Sequence, residues 1–156
     1  MVEVTELTIS RSLAPYLRDH IYQYLENGDA AHDWDLSNAG GGGKGIIHTL
    51  LLITTGRKSE KKLPVPLLYQ PTGTGSFCII GSRRGSPHDP AWFLNLQVNP
   101  NAEIKVRNDW FNVVARVPEG KEREVLWQMM VDYFPQYANY QKGVDRQIPV
   151  IVLDPV

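Results

Sequence analysis

The chain has 156 residues, 42% of them apolar and 21% charged, with a formal net charge of −1 at neutral pH. That length suits one domain with a sizeable core, and the composition is that of a globular chain rather than a disordered or fibrous one. A net charge near zero excludes a global pull towards nucleic acid or anionic lipid, and the single cysteine, Cys78, excludes an intrachain disulfide. No apolar run reaches the roughly 20 residues that span a bilayer. Residues 1–6 lack the basic and apolar regions of a signal peptide, and a lone cysteine fits a reducing compartment. The expected location is the cytoplasm, with peripheral contact at the inner membrane face left open.

Leu13, Leu17, Ile21, Tyr24 and Leu25 recur at helical spacing and predict an amphipathic helix over residues 13–27. Ser12 is its expected cap, Pro15 falls in the first turn, and Asn27-Gly28 is the expected stop. Residues 29–45 read as a loop ending in Gly40-Gly-Gly-Gly-Lys-Gly45. This is no phosphate-binding P-loop, because Lys44 is followed by glycine and a strand rather than by Ser or Thr and a helix. A flexible linker that closes over something is the expectation.

Ile46–Thr55 is a near-continuous apolar run, which predicts a strand covered on both faces. His48 within it reads as structural rather than as a ligand. Leu63–Tyr69 is the next strand. Pro64 and Pro66 fall on the same side of it, so that side cannot donate to a ladder and the strand must be an edge or bulged. Phe77–Ser82 gives a third strand. Asp89 reads as a cap with Pro90 at the first helical position, opening a helix that carries Trp92, Phe93 and Leu96 and stops near Asn99. Residues 104–107 and 110–117 predict a hairpin turning at Asn108-Asp109. Residues 119–134 predict a helix with Val125, Leu126, Met129, Met130 and Tyr133 on one face, and Pro135 should break it. Ile148–Leu153 closes the chain as a sixth strand. Six largely antiparallel strands and three helices predict a mainly β, α+β fold built on a small barrel. The absence of regular βαβ alternation disfavours a Rossmann domain.

Positive charge is concentrated. Arg57, Lys58, Lys61, Lys62, Arg83 and Arg84 face one acid, Glu60, in their stretch, whereas Asp19, Glu26, Asp29, Asp33 and Asp35 fall in a stretch without Lys or Arg. Two basic clusters and a helix start near Asp89 would converge on a phosphate or polycarboxylate. Tyr133, Phe134, Tyr137 and Tyr140 could form core, or could line a flat pocket and offer hydroxyls. The four histidines are scattered without metal-motif spacing, so no metal is expected. Cys78 has no obvious activating partner, and no Gly-x-Ser-x-Gly occurs. If the chain is an enzyme, a cofactor supplies the hard step.

The motifs Thr54-Thr-Gly-Arg-Lys-Ser59, Pro66-Leu-Leu-Tyr69, Ser82-Arg-Arg-Gly85, Asp89-Pro-Ala-Trp-Phe-Leu-Asn-Leu96, Asn99-Pro100, Tyr137-Ala-Asn-Tyr-Gln141 and Asp145–Leu153 occur in this order. Together they resemble the deazaflavin (coenzyme F-420)-dependent nitroreductase and quinone reductase family, from about Leu50 to the C-terminus. Ala31-His-Asp-Trp-Asp35 and the glycine loop resemble a subset of it. The resemblance implies a split β-barrel of the FMN-binding-like type over 46–156, preceded by an N-terminal helix and Gly-rich loop over 1–45. It implies coenzyme F-420, a 5-deazaflavin with a phosphate and an oligoglutamate tail. Arg57, Lys58 and Ser59 would hold the phosphate and tail. Ser82, Arg83, Pro90, Ala91 and Asn95 would line the cofactor site, and Tyr69, Tyr137 and Tyr140 would border the substrate pocket. The implied reaction is hydride transfer to a quinone or nitroaromatic, with Tyr137 or Tyr140, or else Ser82, donating the proton. Many relatives carry a basic residue where Leu63 stands, so one tail contact would be lost or supplied by Lys62 instead. Arg84 replaces a common glycine, and Phe134 replaces a pocket tyrosine of some relatives. An FMN-dependent split-barrel oxidoreductase and a non-catalytic cofactor- or quinone-binding protein are the alternatives, as monomer or homodimer.

Overall fold

The computed structural model describes residues 6–39 and 43–156. Its centre is β2 (Ile46–Thr55), where six consecutive residues, Thr49 to Thr54, are buried. The continuous apolar run is explained by cover on both sides. Leu50 and Leu52 face the barrel interior with Ile79, Ile104, Val113, Ile151 and Leu153. Leu51 and Ile53 face outwards onto Ile21, Tyr24 and Ala31.

Eight strands build the sheet. From β2 the antiparallel order runs through β6 (Asn101–Val106), β7 (Asp109–Arg116) and β8 (Val150–Pro155) to β5 (Phe77–Ile80) and β4 (Gln70–Pro71). On the other side β2 pairs with β3 (Lys62–Leu68), in a register from Thr49 opposite Leu68 to Thr55 opposite Lys62. Only Tyr69 separates β3 from β4. The strand bends there, leaves β2 and pairs with β5, so the sheet curls round on itself. Before the bend, the outer edge of β3 is not paired into the sheet, and the barrel is split along it. This agrees with the expectation from Pro64 and Pro66. The carbonyl of Lys62, on the same side as the prolines, takes the Thr8 N–H at 2.8 Å.

Helix α1 (Pro15–Glu26) lies on the outer face of β2. Its N-cap is Ala14, without a side-chain cap, and Ser12 instead bonds Ser10. Asn27 ends α1 and starts α2 (Gly28–His32), its Oδ1 accepting from the Ala30 N–H at 3.2 Å. Residues 29–45, expected as a loop, thus hold most of α2, the short strand β1 (Asp33–Asp35) paired to Ile46–His48, and a 3-10 turn at Leu36–Ala39. Of the glycine linker over 40–45, residues 40–42 lie outside the described residues. Gly28 is required by close approach, because a Cβ there would overlap the Arg107 carbonyl. Buried Lys105 donates to the Tyr24 and Leu25 carbonyls at 3.0 and 3.4 Å, and so satisfies the C-terminal end of α1.

Helix α3 (Ala91–Val98) packs Trp92, Phe93 and Leu96 into the barrel core. Helices α4 (Gly120–Tyr133) and α5 (Gln136–Lys142) cover Cys78, Ile80, Val150 and Val152 on the outer face of β5 and β8. Pro135 separates the two helices. Three local expectations are corrected. The hairpin turns at Arg107-Asn108, because Val106 already pairs with Asp109. Val125 is exposed, since the buried stripe of α4 is Leu126 and Met130. Asp89 caps nothing; Pro90 is the N-cap, and the carboxylate is drawn to Arg146 at 2.8 Å.

Candidate functional site

A cleft of about 1090 Å³ opens along the split edge of the barrel, between β3, α3, α5 and α1. That is at the upper end of small-molecule sites. Its lining carries four cations, Lys44, Arg57, Arg83 and Arg84, and one carboxylate, Asp89, which is neutralised by Arg146.

The first jaw is the turn between β2 and β3. Gly56 donates to the Lys61 carbonyl at 2.8 Å and accepts from the Glu60 N–H at 2.9 Å. Asn95, buried on α3, fastens this turn. Its Oδ1 accepts from the Arg57 N–H at 3.1 Å and from Arg57 Nη1 at 2.9 Å, while its Nδ2 donates to Thr54 Oγ1 at 3.1 Å. Arg57 Nη1 also reaches the Ala91 carbonyl at 3.4 Å. The carboxamide is spent on holding Arg57, so Asn95 positions the cation. Lys58, Ser59 and Lys62 do not line the cleft. Lys58 is exposed, Ser59 Oγ accepts from the Lys61 N–H, and Lys62 Nζ donates to Thr55 Oγ1 at 3.2 Å, not towards the position left apolar by Leu63.

The second jaw follows β5. Arg83, Arg84 and Gly85 take φ values of +45°, +55° and +81°, three left-handed residues in succession. Each non-glycine residue so held costs about 1–3 kcal/mol, and such turns persist only where their surroundings over-determine them. Arg146, 15% exposed in its side chain, is that surrounding. Its guanidinium donates to the carbonyls of Gly81, Ser82 and Ser86 at 3.1, 2.9 and 3.0 Å as well as to Asp89. Gly85 is doubly constrained, since a Cβ would come within 3.1 Å of the Tyr140 ring. Arg84 reaches across to α1, 5.6 Å above the Tyr16 ring, and donates to the Ala39 carbonyl at 3.4 Å.

Tyr137, Tyr140 and Phe134 form the third wall, with Phe134 and Tyr140 edge-on to Tyr137 at 5.0 and 6.4 Å. Burial pushes the Tyr137 hydroxyl far above its ordinary pKa, so it keeps its proton. Tyr16, Leu17 and His20 of α1, with Leu13 just before it, make the fourth wall with Trp34, whose ring stacks on His20 at 3.7 Å. His20 Nε2–H donates to the Ala31 carbonyl at 3.0 Å, and burial lowers its pKa, leaving a neutral imidazole.

Of the residues singled out in the sequence, the cleft therefore gathers Arg57, Ser82, Arg83, Pro90, Ala91, Asn95, Tyr137 and Tyr140. Tyr69 is not among them. It sits at the barrel bend, packed edge-on against Phe77, with its hydroxyl 2.7 Å from His32 Nε2. Cys78 is buried, its thiol pushed up to about 12, and takes no part. Arg146, Tyr16, His20 and Trp34 were missed. Tyr16 and His20 fall at i+3 and i+7 from Leu13, flanking the predicted stripe at Leu13 and Leu17, and that spacing was the available signal.

A curled antiparallel barrel, split beside a cation-flanked cleft with a phenolic wall, is the split-barrel architecture of deazaflavin-dependent reductases. Residues 31–155 match the family model described as F420H(2)-dependent quinone reductase. A relative from Mycobacterium tuberculosis (strain ATCC 25618 / H37Rv), the F420H(2)-dependent quinone reductase Rv1261c, is 33% identical over 145 residues, covering 90% of this chain and 97% of its own. Among solved structures, an F420-H2 dependent reductase (FDR-A) is similar at 36% identity and TM-score 0.63, over 68% of this chain and 93% of its own. A second, described as a domain-swapped dimer, is similar at 31% identity and TM-score 0.66, over 88% of this chain and 96% of its own. The chain belongs to the F420H(2)-dependent quinone reductase family. It is an oxidoreductase, and the deazaflavin F-420 is its cofactor. The FMN-dependent and non-catalytic alternatives give way to this assignment. Among the described residues no helix is long and apolar enough to cross a membrane.

Proposed function

We propose that this chain binds reduced F-420 in the cleft between the two basic jaws and uses it to reduce a quinone, with nitroaromatics as further acceptors. The carrying observation is the imbalance of four cations against one neutralised carboxylate in an otherwise apolar cleft. That imbalance fits a ligand with a flat apolar ring and an anionic tail. When bound, the deazaflavin supplies the hydride; the protein supplies binding, orientation and a dry site.

Arg57, pre-oriented by Asn95, is placed to grip phosphate or carboxylate oxygens. Lys58, Ser59 and Lys62, outside the cleft, would meet the outer part of the tail. Ser82 and Arg83 offer a hydroxyl, a guanidinium and the backbone of a rigid left-handed turn. Pro90 and Ala91 lie at the N-terminus of α3, where the helix dipole favours negative charge. Tyr137 or Tyr140 donates the proton to the reduced acceptor, with Ser82 as the polar alternative, because each offers a hydroxyl from the cleft wall. Tyr69 has no direct part in this reading, its hydroxyl being committed to His32. A homodimer is the oligomeric state proposed, supported by the relative described as a domain-swapped dimer. A cytoplasmic site of action is proposed with it, supported by the single free cysteine.

Calorimetric titration with F-420 and with FMN, followed by turnover of a soluble quinone, tests the reading. F-420 should bind and FMN should not. Arg57→Ala combined with Lys58→Ala should weaken F-420 binding by several kcal/mol, at about 1.5–3 kcal/mol for each hydrogen bond to a charged group. Unchanged affinity in that double variant would show the first jaw to be a solvated turn.

A further inference from the structure

The histidines looked scattered in the sequence, yet β1 pairing brings two of them together on the opposite side of β2 from the cleft wall. Asp33 is the register partner of His48, and His32 immediately precedes Asp33 at the end of α2. We propose that His32 Nδ1, Asp33 Oδ1 and His48 Nε2 form a binding site for a borderline divalent transition metal such as zinc.

One ligand atom from each residue lies within 4.8 Å of the others. Asp33 Oδ1 is 2.7 Å from His32 Nδ1 and 3.6 Å from His48 Nε2. Ligands bound tetrahedrally to zinc at about 2.0–2.2 Å lie roughly 3.3–3.6 Å apart. The Asp33–His48 separation already meets that spacing, the His32–Asp33 hydrogen bond has to open by roughly 0.6–0.9 Å, and the two imidazoles, within 4.8 Å of each other, close on the ion. The Asp33 and His48 side chains are 53% and 47% exposed, so an ion can enter from solvent and keep water in its remaining position. Two imidazoles and a carboxylate suit zinc or its neighbours better than calcium or magnesium, which favour all-oxygen sites.

The surroundings complete the ligand set. His32 Nε2 meets the Tyr69 hydroxyl at 2.7 Å, and a hydroxyl can donate or accept. When Nδ1 binds the metal, the ring proton moves to Nε2, which then donates a hydrogen bond to the Tyr69 oxygen while the Tyr69 O–H turns away from the ring, so His32 stays neutral with its orientation fixed. The His48 backbone N–H donates to the Tyr133 hydroxyl at 2.9 Å, which tethers that ligand's backbone. The field of Arg107 reaches both His32 and Asp33, and that guanidinium is itself paired with Asp29 at 3.9 Å. Bound metal would rivet α2, β1 and β2 together around Trp34, the residue after Asp33, whose ring forms part of the cleft wall.

The test is calorimetric titration of chelator-treated full-length protein with zinc chloride, repeated on His48→Gln, Asp33→Asn and, as a control, His88→Gln, whose histidine is exposed elsewhere. The expected result is one saturable equivalent, weakened on the order of 100-fold or more in the first two variants and unchanged in the control. Cobalt(II) should give a visible absorption band that His48→Gln abolishes. Zinc should raise the melting temperature of the parent but not of His48→Gln, and both should melt alike without metal. Absence of saturable zinc binding, or equal binding by the parent and His48→Gln, would overturn the proposal.

Discussion

Replacing Arg146 with methionine keeps most of the side-chain volume and removes every donor. Four acceptors would lose their partner: the carbonyls of Gly81, Ser82 and Ser86 and the Asp89 carboxylate, now bonded at 2.8–3.1 Å. Hydrogen bonds to a charged group contribute about 1.5–3 kcal/mol each, but members of one network do not add. Breaking a fully buried ion pair costs about 3–5 kcal/mol, and Asp89, 34% exposed, can partly rehydrate. Part of the loss is also returned when Arg83 and Arg84 relax from left-handed conformations worth about 1–3 kcal/mol apiece. The net expectation is about 3 kcal/mol of stability, or roughly 6–12 °C of melting temperature for a chain of this size. Because the relaxation is local, F-420 affinity should fall with it, and Asp89→Asn should give a milder version of both changes. Thermal melts and calorimetric titration of the two variants measure this. Arg146→Met that melts and binds like the parent would refute the claim that this guanidinium holds the turn.

Two further outcomes follow from the same geometry. Asn95→Leu removes the bridge between Thr54 and Arg57 and leaves the buried Thr54 hydroxyl without that partner, so denaturant unfolding should show a loss of about 1–3 kcal/mol. Weaker F-420 binding should accompany it, even though the side chain need not touch the ligand. His20 has a folded pKa below its unfolded value of 6.5 because burial favours the neutral ring. The unfolded chain therefore binds more protons in that window, and stability falls as pH drops below about 6.5, from full strength above it. His20→Phe should flatten that part of the stability–pH profile, and an unchanged slope would show that another group controls it.

The strands were legible where burial is continuous or where a local turn sets the register. Ile46–Thr55 has in the structure the bounds expected from its apolar run, because cover on both faces makes its centre, Leu50 to Ile53, continuously apolar. The edge character of β3 followed from two prolines and chemistry alone. By contrast, β1 is three residues long, and its sequence Asp33-Trp-Asp35 carries no apolar alternation. It is a strand only because the first three residues of β2 offer it a ladder. Asp89 shows the same limit. Its local context, a proline next in line, argued for a cap, and an arginine 57 positions further on took the carboxylate instead. Within the site, Arg57 and Arg83 could be singled out because charge clusters are visible in one dimension. The α1 wall could not be assigned to a cleft before α1 was placed against β2 and β3.

The two prolines of β3 have a wider consequence. With residues 64 and 66 turned away from β2, the open margin of the strand presents carbonyl oxygens and no N–H at either position. An incoming strand from another molecule needs alternating donors and acceptors to dock, and at these two central positions it would find acceptors alone. The next carbonyl towards the start of β3 on the same margin, that of Lys62, is already occupied by Thr8. The barrel can thus remain open along its seam, as a cleft for a small molecule must, without offering that seam as a template for strand addition and aggregation.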